Sequence, residues 1–230
     1  MQTKKFTTLP DFIEIATCFP VDQLVLFRGQ SRDYDLRPKI ARKDPKLDST
    51  ATEKEMLSEL RRRGEGALGT AVDMDWDLMT LAQHFGMATR LLDWTSNPLV
   101  ALWFSCAFAH SDENSYVYLF EVAPDRLINR SKNTSPFGAG PTRVLKPILN
   151  NARIVAQSGW FTAHKHSSKT SEFVPLQRNK EVKSAITQIE VPHALHVTLL
   201  AQLSTLGVNF QTMFPDVEGL CKHINYLHGH

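Results

Sequence analysis

The sequence predicts an α+β fold: one domain built on a mixed sheet with flanking helices. Short apolar runs at residues 24–27 and 115–122 read as buried strands. Stretches such as residues 53–63 instead repeat apolar residues at helical spacing. The two kinds follow one another without the regular strand–helix–strand alternation that a parallel sheet requires.

Taken in order, residues 11–18 place Phe12, Ile13, Ile15 and Ala16 at helical spacing, with Pro10 at a suitable start. Residues 21–29 form a buried strand from whose end Arg28 and Gly29 emerge. From 30 to 50 the chain is polar and interrupted by Pro38 and Pro45, a surface loop. Residues 53–63 form an amphipathic helix that ends near Gly64 and Gly66; its acidic start and basic finish suit the helix dipole. A helix over 75–85 stops at Gly86, and a short strand spans 89–95. Asn97 and Pro98 then provide a cap and a first helical residue for a helix over 99–110.

A strand over 115–122 follows, and the Gly-, Pro- and Ser-rich residues 131–142 form a loop. Residues 153–163 are expected as a strand pair or one bent strand carrying Gln157, and 164–180 as a polar loop. A strand over 185–191 ends at Pro192, a helix over 193–206 stops at Gly207, and a last short helix starts near Phe214. Asp216 and Glu218 fit its first turn, where negative charge is favoured.

With 230 residues, 42% of them hydrophobic, the chain is long enough to bury a core. Thirteen Phe and four Trp exclude global disorder. A net charge of +2 gives no overall pull toward nucleic acid or membrane. The basic clusters are Arg61-Arg62-Arg63 and residues 165–183, which hold four Lys and one Arg; neither has the interleaved aromatics of a single-strand groove. Cys18, Cys106 and Cys221 are too scattered for a disulfide framework or a zinc site. Of the histidine pairs, His164/His166 lies in a polar loop and His193/His196 lacks nearby acidic or cysteine partners, so no metal is expected. The longest apolar stretch, around 98–109, is short of the roughly 20 residues a bilayer demands. A soluble, reducing, cytoplasmic setting is the expectation.

Polar residues that could carry chemistry gather in two places. Arg28 offers a planar fork of donors matched to phosphate or carboxylate, Gly29 admits close approach to the backbone, and Gln30 follows. Residues 83–97 then hold Gln83, His84, Thr89, Arg90, Asp93, Thr95, Ser96 and Asn97 between two apolar helices. Such density calls for an internal hydrogen-bond network or a ligand. At strand spacing Asp93 and Thr95 face one side. The plainer readings are a strand-end ion pair at Arg28, a buried Arg90–Asp93 pair, helix caps at 95–97, a packed histidine at 84, and a Gln157 that satisfies backbone groups.

Phe27-Arg28-Gly29, the run from Leu81 to Phe104 with Thr89-Arg-Leu-Leu-Asp-Trp-Thr95 at its heart, residues 151–162, Leu206-Gly-Val-Asn209 and Phe214-Pro-Asp-Val-Glu-Gly-Leu220 resemble the FRG domain family. The resemblance places an FRG domain over 21–225, behind a helical lead-in over 1–20. The motif layout is in turn similar to ADP-ribosyltransferases, which implies that fold and NAD as co-substrate. By that likeness Arg28 contacts the phosphates or ribose of NAD, Asp93, Thr95 and Ser96 support the pocket, and Gln157 stands where such enzymes carry a carboxylate. Arg28, Asp93, Gln157 and His84 are therefore the expected catalytic residues, and Arg28, Gly29, Gln30, Arg90, Thr95 and Ser96 the expected nucleotide contacts. The implied activity is transfer of ADP-ribose from NAD to an unidentified intracellular target. Two other readings stay open: a non-catalytic nucleotide-binding or regulatory module, and a metal-independent nuclease using His84 with Arg28 or Arg90.

Overall fold

The computed structural model describes residues 1–68, 74–110, 112–138, 140–148 and 151–229. Its strands are β1 (Gln2–Lys5), β2 (Val25–Gln30), β3 (Leu91–Thr95), β4 (Ser115–Glu121), β5 (Arg143–Leu145), β6 (Gly159–Ala163) and β7 (Ile186–Val191). Its α-helices are α1 (Leu9–Thr17), α2 (Thr50–Leu68), α3 (Asp75–His84), α4 (Pro98–Ala107), α5 (Ala152–Ala156), α6 (His196–Thr205), α7 (Phe210–Met213) and α8 (Val217–Leu227). The strands form one seven-stranded sheet in the order β1-β7-β4-β2-β3-β6-β5. Among these neighbours only β1 and β7 run parallel, so the expected mixed α+β class holds. No helix among the described residues is long and apolar enough to cross a membrane.

Strand alternation sorts the core onto the two faces of the sheet. On one face Phe27, Val117, Leu119, Ile189 and Val191 meet Phe12 of α1, Trp103 of α4 and Leu199 and Leu203 of α6. The same face of the other half carries Leu91, Phe161 and Leu145 against Leu57 of α2 and Trp76, Leu78 and Met79 of α3. The opposite face holds Leu26, Leu92, Trp94, Tyr118, Phe120 and Ile186, covered by Leu36, Leu176 and Val182 from irregular segments. Helices thus cover one side in two groups, and the junction of β2 with β3 lies between those groups.

Local signals explain most element ends. Thr8 caps α1 reciprocally with Asp11, and Asn97 caps α4, its side chain accepting from the Leu99 amide at 3.0 Å. Gly86 and Gly207 sit at φ +88° and +84°, the left-handed conformation that closes α3 and α6.

Three expectations need correction. Residues 152–156 are the one-turn helix α5, capped by Asn151, and only Gly159–Ala163 is a strand. Ser158, at φ +47°, reverses the chain between them, so Gln157 ends a helix instead of lying in a strand. Helix α2 continues through Gly64 and Gly66 to Leu68, because Leu60, Gly64 and Leu68 keep one face in register. The amino-terminal Gln-Thr-Lys-Lys is an edge strand, which its polar composition conceals.

Two contacts hold the helices to the sheet. A Cβ on Gly29 would collide with the Ala101 carbonyl and come within 2.6 Å of the Ser105 amide, so only glycine lets α4 lie directly on β2. The second is ionic. Arg90, 1% exposed, gives its backbone amide to Glu53 Oε1 at 2.6 Å and its Nε to Oε2 at 2.7 Å, while Nη2 donates to Thr50 Oγ1 at 3.0 Å. The guanidinium also lies 4.5 Å from the centre of the Phe137 ring. Arg90 therefore pairs with Glu53 of α2, not with Asp93.

Three stability outcomes follow from these contacts and from the separation of Arg90 from Asp93. Gly29→Ala should destabilise by about 1–3 kcal/mol or more, as overpacking against rigid backbone does, read as a lower midpoint in urea. Glu53→Ala should cost about 3–5 kcal/mol because it strands a buried guanidinium. Asp93→Ala, removing an exposed carboxylate, should cost no more than about 1 kcal/mol by the same measurement.

Candidate functional site

Strand β2 pairs with β4 over its whole length, from Val25↔Glu121 to Gln30↔Tyr116. With β3 it shares the single pair Phe27↔Thr95. Past that pair the two strands part, which leaves the Asp93 carbonyl without a ladder partner from β2. Arg28 supplies one: its Nη1 donates to Asp93 O at 2.8 Å, and its Nε donates to Gln30 Oε1 at 3.2 Å. Gln30, itself buried, donates through Nε2 to the Tyr34 carbonyl at 2.9 Å and so braces the arginine from behind. Burial pushes the Arg28 guanidinium down to about 10, against the opposing pull of Asp93, and it stays cationic at neutral pH.

The exposed Asp93 carboxylate lies 3.8 Å from Arg28 Nη1. Gln83, near the end of α3, donates to Asp93 Oδ2 at 3.1 Å, and the Thr89 hydroxyl donates to Gln83 Oε1 at 2.7 Å. That second bond fixes which way the Gln83 amide faces. His84 beside it is half-buried; burial and then the charge of Arg153 hold its pKa below the ordinary value, so its imidazole is neutral at pH 7.

These groups line a cleft of about 310 Å³ on the helical face. Its far wall comes from Val100, Ala101 and Phe104 of α4, from Arg153 of α5 and Gln157 at that helix's C-terminal cap, and from Phe214. Phe104 and Phe214 meet edge to face with centroids 6.1 Å apart, and Arg153 lies over Phe214 at 5.0 Å. Arg153 is also paired with Asp216 at 2.6 Å. Among the described lining residues Asp93 is the one carboxylate.

The residues singled out in the sequence divide accordingly. Arg28, His84, Asp93, Thr95 and Gln157 share this cleft, as does Gly29. Gly29 owes its identity to the backbone of α4, however, and the space above it is not left for a ligand. Gln30 lies behind Arg28. Thr95 Oγ1 accepts from the Asn97 amide at 3.0 Å, and the Gln157 amide donates to Met213 O at 2.9 Å. Ser96 is exposed and does not line the cleft. Arg90 is buried against α2 and does not line it either. Arg153, Phe104 and Phe214 belong to the cleft but went unmarked in the sequence, where aromatics read as core and Arg153 is an isolated cation.

His164 is buried, its Nε2 3.0 Å from Thr162 Oγ1, which in turn accepts from Trp94 Nε1 at 3.0 Å. Burial, then the charges of Arg28 and Arg90, push its pKa down to about 3. The unfolded chain binds a proton there near pH 6.5 and the folded chain does not. Stability should therefore fall as pH drops from about 6.5 toward 3. His164→Gln should flatten that acid slope by about one proton in urea titrations run at successive pH values.

Residues 23–114 match the family model of the FRG domain. No curated protein and no solved structure matches the chain. The matched span holds both strands of the seam with Arg28, Gln83, His84 and Asp93, and it stops before Arg153, Gln157 and Phe214. Within the stretch that matches the FRG domain model, the glycine of the Phe-Arg-Gly tripeptide seats α4, and its arginine closes the gap between β2 and β3.

Proposed function

We propose that the cleft binds NAD or a related dinucleotide and that the protein transfers ADP-ribose to another molecule, on an ADP-ribosyltransferase-like fold. One observation supports this above the others: a desolvated arginine fills the opening between two parted strands, with a single exposed carboxylate beside it and aromatic rings opposite. Such a cleft, with aromatic and aliphatic walls and convergent polar groups that include Arg28 and Arg153, suits a ligand that carries both a ring and negative charge.

When bound, NAD supplies a ribose whose bond to nicotinamide breaks with positive charge developing on the sugar. Arg28 restrains the pyrophosphate and so positions the scissile bond. Asp93, held by Gln83, faces the developing charge and stabilises it electrostatically. His84, which lines the same cleft with its imidazole neutral at pH 7, would accept the proton that an attacking hydroxyl or amine releases. The Gln157 amide, anchored on Met213 O, helps shape the wall opposite.

A second reading has its own support. Asp93 already accepts from Gln83, and Gln157, the nearest candidate for the acid that transferases of this layout carry, is an amide. A module that binds the nucleotide without turning it over fits that poverty of carboxylates.

Labelled NAD separates the two. Nicotinamide release by the wild type in cell extract should fall about 100-fold in Arg28→Ala and in Asp93→Ala, with NAD binding kept in Asp93→Ala. Binding without release would favour the module. Neither binding nor release, with extract present, would end both readings.

A further inference from the structure

Arg28 is also one wall of a second concavity, of about 740 Å³, on the side facing the chain that leaves β2. Tyr34, Arg37, Arg42, Phe104 and Phe108 line it with Arg28, and Phe104 is common to both hollows. We infer that this second hollow is a nucleoside-diphosphate subsite, with phosphate oxygens between Arg28 and Arg42 and the base against Tyr34 and Phe108. The inference rests on the dinucleotide reading for the assignment of the other half of the ligand to the Asp93 cleft.

The three arginines are not equivalent. Arg37 is committed to the protein: its Nη1 pairs with Asp35 at 2.8 Å, its Nη2 lies 3.8 Å from Glu172, and its Nε donates to Phe173 O at 3.1 Å. Arg42 makes one weak contact, from Nε to the Arg37 carbonyl at 3.4 Å, and pairs with no carboxylate among the described residues. Arg28 spends Nε on Gln30 and Nη1 on Asp93, while its Nη2 donates to no protein acceptor among the described residues. Asp35, the single acid lining the hollow, already meets Arg37, Arg178 and Gln177.

Two cations with unspent donors therefore face one space, and the charge of Arg42 is among those that lower the Arg28 pKa. A polyanion relieves that repulsion and takes up both sets of donors, as forked guanidinium–phosphate contacts do. The rings suit the other part of the ligand. Tyr34 and Phe108 are 50% and 48% exposed, so part of each ring is open to a base. The loop is held in place before any ligand arrives. Tyr118 donates to Asp33 Oδ1 at 2.5 Å, Gln188 Nε2 donates to the same oxygen at 2.8 Å, and the Tyr34 carbonyl is bound by Gln30.

The full chain and its Arg42→Ala and Tyr34→Ala variants would be titrated calorimetrically with ADP, nicotinamide mononucleotide, NAD and inorganic pyrophosphate. Both changed side chains are exposed, and a thermal melt checks that each variant folds. Arg42→Ala should weaken ADP about tenfold and leave nicotinamide mononucleotide within about twofold. Tyr34→Ala should weaken ADP but not pyrophosphate. ADP affinity unchanged in Arg42→Ala overturns the phosphate subsite even where NAD binds normally, and unchanged ADP affinity in Tyr34→Ala overturns the base contact. ADP bound without NAD keeps the subsite and removes the dinucleotide reading. A wild type that binds neither removes both.

Discussion

A backbone carbonyl that leaves its ladder must find another donor, and the centre of this protein is organised around one such group. Where β2 and β3 part after a single pair, Asp93 O is left at the seam without a ladder partner from β2. The Arg28 guanidinium closes that gap. Its position then governs the rest: Gln30 must brace it, the following loop must turn so that Tyr34 O can hold Gln30, and α4 must lie close over Gly29. One side chain thus does the structural work of a missing strand pair while remaining a cation between two hollows.

A second ionic contact is separate from the first in space and in purpose. Arg90 and Asp93 are three residues apart, yet the former is sealed against Glu53 while the latter is exposed. Arg90 pins α2 to the start of β3, and so fixes the strand that presents Asp93. The neutral His164 lies within the field of both Arg28 and Arg90, and burial keeps a third positive charge from forming near them.

Much of the architecture was legible in the sequence because local signals were strong. Asn97-Pro98 marked the start of α4, Gly86 and Gly207 marked helix ends, and apolar runs marked β2, β4 and β7. Residues whose conformation depends on distant partners were not legible. Gln2–Lys5 becomes a strand only because β7 offers an edge, and α5 is a single capped turn too short for any period to appear. At the site, the polar run 83–95 was conspicuous, since Gln83, Thr89 and Asp93 bond to one another within eleven residues of chain. The Glu53–Arg90 pair spans 37 residues, and nothing in either segment named the other as partner. Arg153 and Phe214 reach the cleft from the last third of the chain for the same reason.

The stretch that matches the family, 23–114, ends one residue before β4 begins. Cut out alone, it would keep β2 and β3 but neither of the outer neighbours to which each is fully paired. A two-stranded ribbon joined at Phe27↔Thr95 cannot stand by itself. The recognisable signature is therefore not an autonomous folding unit. Its two strands become a sheet only when chain from beyond residue 114 flanks them, so the portable part of this protein, in any fusion or transplant, must include β4 and β6.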